Sequence, residues 1–76
     1  MTVRPPAGWR HAPLGDGYNR EVGEYRLHIR PGALGWSWSV YRGKDWVAAG
    51  RCEPTPTGAA RRAVGVMTRN ASKEVP

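Results

Sequence analysis

Three polar residues that can bind a charged ligand, Arg26, His28 and Arg30, are spaced two apart in the sequence. Apolar residues precede and separate them, so polar and apolar side chains alternate through the segment 24–30. Strict alternation is typical of a half-buried strand, which would place these three side chains together on its solvent face. Because arginine can pair bidentately with guanine edges or with phosphate, the pattern indicates a surface that can bind nucleic acid.

A second alternating run adds hydroxyl groups to the same expected face. Ser37, Ser39 and Tyr41 alternate with two tryptophans and a valine, and hydroxyl groups can hold phosphate oxygens. The candidate nucleic-acid-binding residues are Arg4, Arg10, Arg26, His28, Arg30, Ser37, Ser39, Tyr41, Arg42, Lys44 and Arg51. The alternative is that polar residues face outward on any half-exposed sheet because solubility requires it. Both interpretations stay open at this point.

The sequence contains no catalytic or metal-binding motif. His11 and His28 lie far apart, and Cys52 has neither a base nor a second metal ligand near it in sequence. A free cysteine usually behaves as a small hydrophobic residue, so we expect Cys52 to be a partly buried thiol at a strand end. Gly32 and Gly35 lie between strands and not before a helix, which excludes a phosphate-binding loop there. We therefore predict no enzyme activity, no cofactor and no metal.

The composition favours a polyanionic partner. The chain of 76 residues has 12 lysines and arginines against 6 acidic residues, a formal net charge of +6 at pH 7. A basic surplus of this kind attracts nucleic acid. Nearly all of the basic residues are arginine, and alanine, glycine and proline are abundant. Because GC-rich codons encode all four, the charge could also reflect genome composition.

Prolines and glycines are frequent in the first 20 residues, which predicts an irregular N-terminal arm over 1–20. Arg4, Arg10 and His11 could reach a phosphate backbone from this arm, or the arm could simply cover an edge of the core. We expect the folded domain over 21–69 and a flexible tail over 70–76. The chain shows no secretory signal and no long apolar run, so we expect no membrane contact.

Three strands and one helix are expected within the domain. The two alternating runs form the first two strands, and the third runs from Trp46 to about Arg51. Short turns join them into an antiparallel meander. The facing of the third strand stays open, because Val47 and Ala49 suit the core about as well as Trp46 and Ala48.

A C-terminal helix is expected to cover one face of this sheet. Thr55 is the predicted N-cap, with Pro56 at the first helical position, although Thr57 competes for the same role. An apolar stripe with the spacing of one helix face follows, formed by Ala60, Ala63, Val64 and Met67. The predicted fold is therefore α+β, a three-stranded antiparallel meander packed against one C-terminal helix, with an irregular N-terminal segment.

The stretch WSVYRGKDWVAAGR, followed by a helix cap and AARRAV, resembles the sheet-and-helix core of small β-β-β-α DNA-binding domains of the AP2 and integrase-arm type. The matching positions are Trp38, Gly43, Trp46, Gly50 and the pair Ala59–Ala60. The resemblance covers roughly residues 25–67. It implies a three-stranded sheet, backed by the helix, whose exposed face lies in the major groove of DNA.

These observations lead to two functional hypotheses. The first is a small basic protein that binds nucleic acid, duplex DNA in preference to RNA, through the exposed sheet face. The second is a phage or mobile-element accessory protein that modulates a host protein complex or decorates a larger assembly. Trp9, Tyr18 or Trp46 would then be exposed interface anchors. In both cases we expect a cytoplasmic protein of the producing or host cell, either monomeric or dimeric through an edge strand.

Overall fold

The computed structural model describes residues 8–12 and 15–73. Within these residues, five antiparallel strands form one sheet in chain order, and one helix follows them. The elements are β1 Arg10–His11, β2 Tyr18–Val22, β3 Tyr25–Gly32, β4 Gly35–Arg42, β5 Asp45–Glu53 and α1 Pro56–Lys73.

The prediction of a three-stranded sheet is wrong, because the segment expected to form an irregular arm contributes two more strands. Both β1 and most of β2 lie within residues 1–20. The glycines that argued against a regular element, Gly15 and Gly17, lie in the connection between these strands. Gly17 is buried, and a side chain on it would collide with the Ile29 carbonyl oxygen of β3. Its lack of a side chain therefore allows the connection to approach the sheet.

A two-residue turn joins β2 to β3 and extends the meander toward the N-terminus. Tyr18 lies opposite Ile29 and Val22 lies opposite Tyr25, so the apolar residues of β2 continue the buried face of β3. Three consecutive polar residues separate Tyr18 from Val22. This strand therefore lacks the alternation of polar and apolar residues by which a strand is predicted from sequence. Since β2 runs from Tyr18 to Val22, it crosses the domain boundary expected at residue 21.

The core lies between one face of the sheet and α1. Leu27, Ile29 and Val40 are fully buried, and Leu27 and Val40 are register partners on neighbouring strands. The helix contributes three buried alanines, Ala59, Ala60 and Ala63. Because these side chains are small, the helix backbone can sit close to the sheet. Val64 and Met67 are half-buried and pack at the margin of the same core.

The two ends of α1 are held by side-chain hydrogen bonds. The Gly58 backbone N–H donates to Thr55 Oγ1 at 3.0 Å, which confirms Thr55 as the N-cap residue. The helix continues to Lys73, so residues 70–73 are helical and are not part of the expected tail. The Tyr25 hydroxyl donates to Asn70 Oδ1 at 2.8 Å. This contact ties the last turns of the helix to β3.

The helix packs against β3, β4 and β5, and it covers only one of their two faces. We call the opposite side the open face. It is defined by Arg10, Asn19, Glu21, Arg26, His28, Arg30, Ser37, Ser39, Tyr41, Trp46, Ala49 and Arg51. Within the described residues, no helix lies over it.

Candidate functional site

The pairing of the strands arranges the open face in rows of cross-strand neighbours. One row runs Glu21, Arg26, Tyr41 and Trp46 across β2 to β5. The next row runs Arg10, Asn19, His28, Ser39 and Ala49 from β1 to β5. Arg30 and Ser37 are partners in a third row. Strands separated in sequence therefore bring most of the expected site residues onto one surface.

A shallow concavity of about 600 Å³ lies on this face. Its lining includes six of the residues expected from the sequence, His28, Arg30, Ser37, Ser39, Tyr41 and Arg51. Two small residues of β5, Ala49 and Gly50, also line it, together with Trp38 of β4. The surface can therefore receive an extended ligand that lies along the strands.

Positive charge dominates the open face. Arg10, Arg26, Arg30 and Arg51 are all exposed, and Glu21 is the one acidic residue in the rows described above. Arg26 donates from Nη2 to the Gly43 carbonyl oxygen at 3.4 Å, a long and exposed hydrogen bond. Such a contact leaves most of the guanidinium donors available, because this group carries five N–H donors.

His28 lies at the centre of the face and is half-buried. Its Nδ1 atom makes a hydrogen bond with Asn19 Oδ1 on β2. Burial first, and then the positive charge of Arg30, lower the pKa of His28 below its usual value of 6.5. At neutral pH the imidazole is therefore neutral, so it contributes polar contacts to the face and not charge.

Tyr41 and Trp46 add two exposed aromatic rings at one end of the face. They are register partners on β4 and β5, and their exposed fractions are 36% and 63%. The orientation of Trp46 depends on a β-bulge at Val47. Tyr41 pairs with Trp46 while the adjacent Val40 pairs with Ala48, which leaves Val47 as the extra residue.

The bulge settles the facing of β5, which the sequence left open between two alternating patterns. Neither pattern is right, because Val47 and Ala48 are both half-buried while Trp46 and Ala49 are both exposed. Val47 packs against the core. An extra residue in one strand resets the alternation of side chains, so no period-2 pattern could have predicted this arrangement.

Two expected site residues, Arg42 and Lys44, do not belong to the open face. Arg42 is the register partner of Tyr25 on the helix side, its Nε donates to Glu24 Oε2 at 2.9 Å, and its guanidinium carbon lies 6.0 Å from the centre of the Tyr25 ring. Lys44 lies in the turn between β4 and β5, beside the row of Tyr41. Arg4 lies outside the described residues.

A second basic surface, which was not among the sites predicted from the sequence, lies beside the helix. Exposed arginines of α1 and the Trp38 indole line a groove of about 450 Å³. The arginines are Arg61, Arg62 and Arg69. Glu53 neutralises part of this charge, because its Oε1 accepts from Arg62 Nε at 3.0 Å. The spacing of the three arginines along α1 could have predicted this surface from the sequence.

Other residues singled out from the sequence have different surroundings from those expected. Cys52 is exposed, so the expectation of a partly buried thiol is wrong. Trp9 and Tyr18 are each only 6% exposed and belong to the core. They are therefore not available as interface anchors, whereas Trp46 is.

Among residues 8–12 and 15–73, no group of three or more histidine, cysteine or acidic side chains could hold a metal ion. In the same part of the chain, no helix has both the length and the apolar character needed to cross a bilayer.

Comparison of the chain with protein-family models, with curated proteins and with solved structures found no match.

Proposed function

We propose that the protein binds nucleic acid through the open face of its sheet. The observation that carries this proposal is the gathering of Arg10, Arg26, Arg30 and Arg51 on one surface. That surface bears one acidic residue in its rows and is not covered by α1. A concentration of positive charge of this kind supplies the sequence-independent part of nucleic-acid affinity by releasing counterions from phosphates.

The hydroxyl groups between the arginines support the same function. Ser37 and Ser39 lie beside Arg30 and His28 on the neighbouring strand, and Ser37 Oγ donates a long bond of 3.4 Å to the Arg30 carbonyl oxygen. Hydroxyl, imidazole and guanidinium donors together can contact successive phosphate and sugar oxygens. The cytoplasm is the proposed location, because nucleic acid is accessible there and a lone thiol such as Cys52 stays reduced.

Fluorescence anisotropy with labelled oligonucleotides at increasing salt concentrations tests this proposal. The variant Arg26→Ala/Arg30→Ala removes two charges from the open face. Loss of two phosphate contacts should reduce the slope of log K against log salt by about 1.5. The matched control is Arg61→Ala/Arg69→Ala, which removes two exposed charges from the helix side. We expect this control to bind almost as the wild type does.

Absence of binding at low salt would refute the function itself. If the helix-side variant loses affinity and the sheet variant does not, nucleic acid binds at the groove beside α1 and the assignment to the open face is wrong. Thermal unfolding of both variants checks that they still fold. We expect melting temperatures close to that of the wild type, because the four replaced side chains are exposed.

The exposed Trp46 favours a second candidate function, a phage or mobile-element accessory protein that binds a host protein complex. An indole that is 63% exposed can anchor a protein interface, where tryptophan and arginine are enriched among the residues that dominate affinity. Affinity purification from nuclease-treated host lysate, with Trp46→Ala as the comparison, tests this candidate. Recovery of the same proteins with both forms would count against it.

A further inference from the structure

The aromatic pair of the open face is the feature that charge alone does not explain. Tyr41 and Trp46 are neighbours across β4 and β5, and both rings are exposed. Arg26 is the register partner of Tyr41 on its other side. Two aromatic rings and a guanidinium therefore adjoin one another in one row, at one end of a basic surface.

The width of the sheet restricts which form of nucleic acid can contact this face. Neighbouring strands lie about 4.8 Å apart, so five strands span about 19 Å, and β2 to β5 alone span about 14 Å before side chains are added. The major groove of B-DNA is about 12 Å wide and admits a helix or a two-stranded ribbon. The open face is therefore too wide to lie flat in the groove. The resemblance to three-stranded DNA-binding domains implied the opposite, a sheet face that lies in the major groove.

We infer that the ligand of the open face is a single-stranded nucleic acid whose bases stack on Tyr41 and Trp46. This inference rests on the proposed function and specifies its ligand. Proteins that bind single strands combine a positively charged path for the backbone with aromatic rings on which successive bases stack. The rings of paired bases inside a duplex are not accessible for such stacking, whereas those of a single strand are.

The positions of the charges indicate where the two parts of the ligand lie. Arg26 and Arg30 are four residues apart on one face of β3, a distance of about 13 Å, so an extended backbone along β3 can contact both. Its bases then turn toward Tyr41 on β4 and Trp46 on β5. Glu21 lies on the β2 side of Arg26, and its negative charge disfavours a phosphate backbone there. The nucleic-acid strand is thereby directed toward β4 and β5.

The test measures anisotropy of labelled oligothymidylate, oligouridylate and a blunt duplex, all about 20 nucleotides long so that each exceeds the site sizes usual for single-strand binders. We expect tighter binding of one or both single strands than of the duplex. The variant Trp46→Ala should weaken single-strand binding about tenfold, with little change in its salt dependence, because stacking involves no charge. Trp46→Phe keeps a ring and should retain most of the affinity.

The matched control is Leu34→Ala, which removes exposed apolar surface from the turn between β3 and β4, away from the aromatic row. It should bind as the wild type does. Binding of the duplex as tightly as the single strands, or unchanged single-strand affinity in Trp46→Ala, overturns the inference while nucleic-acid binding itself stands. Binding of neither form refutes the proposed function, and this inference falls with it.

Discussion

The indole of Trp38 lies directly across the Cα of Gly50, its register partner on β5. A Cβ atom added at Gly50 would lie 2.5 Å from Trp38 Nε1, and the rigid indole would have to move. We expect Gly50→Ala to lower the free energy of unfolding by about 1–3 kcal/mol, the usual cost of overpacking. Urea unfolding followed by tryptophan fluorescence measures this change.

The matched control for that substitution is Gly65→Ala in α1. Apart from its chain neighbours and the backbone of its own helix, a Cβ atom at Gly65 would meet no atom within 4 Å, and alanine stabilises a helix relative to glycine by about 0.5–1 kcal/mol. This control should therefore raise the free energy of unfolding. If both substitutions change stability in the same direction, the packing of Trp38 on Gly50 is not what determines the effect.

The stability of the protein should fall in mild acid because of His28. Burial and Arg30 lower the pKa of its imidazole in the folded state below 6.5, so the unfolded chain binds more protons as the pH falls through this value. The free energy of unfolding attributable to His28 is fully present above pH 6.5 and decreases below it. Urea unfolding on both sides of this pH measures the dependence.

The variant His28→Gln isolates this effect, because glutamine does not titrate and can still donate to Asn19 Oδ1. Its stability should depend less steeply on pH than that of the wild type. Replacing the exposed His11 in the same way is the control and should leave the dependence in place. Equal acid sensitivity of His28→Gln and wild type would exclude His28 as its source.

The hydrogen bond between Tyr25 and Asn70 should stabilise the last turns of α1. Its length is 2.8 Å, and removal of the hydroxyl in Tyr25→Phe should cost about 1 kcal/mol. Amide hydrogen exchange over residues 68–73 should accelerate more than exchange over 58–62. A double-mutant cycle with Asn70→Ala provides the control, since a coupling energy near zero would mean that this bond does not hold the helix.

The N-cap hydrogen bond at the other end of α1 should also stabilise the protein. Thr55→Ala removes the acceptor of the Gly58 N–H and should lower the free energy of unfolding by about 1 kcal/mol. Thr57 is exposed within the first turn, and Thr57→Ala should be neutral or slightly stabilising because alanine favours helix. Equal losses in the two variants would show that Thr55 has no special role.

The polar side of β3 and β4 could be predicted from sequence because period-2 alternation is a local property of an extended chain. The positions of Arg26, His28, Arg30, Ser37 and Ser39 on one face follow directly from it. The same rule, applied one step further, would have placed Arg42 on the helix side. It is two residues beyond Val40 in the same strand, which is buried.

The rest of the fold depends on contacts that no local pattern reveals. The strand β2 is stabilised by pairing with β3 along its whole length. Because its three central residues are polar, its sequence alone does not indicate that Tyr18 and Val22 pair with apolar residues of β3. Val47, the extra residue of the bulge in β5, packs against the core. The outward orientation of Trp46, on which the proposed stacking depends, is therefore a consequence of tertiary packing.

The same bulge has a further consequence for self-association. Among the strands of the described residues, β5 lies at an edge of the sheet, and an edge strand offers unpaired backbone groups to other chains. Its straight register with β4 is interrupted at Val47 and again near Cys52, which has a φ of 66°. Only the run 48–50 lies between these irregularities, too short a template for another strand. We therefore expect this edge to resist aggregation even in concentrated solution.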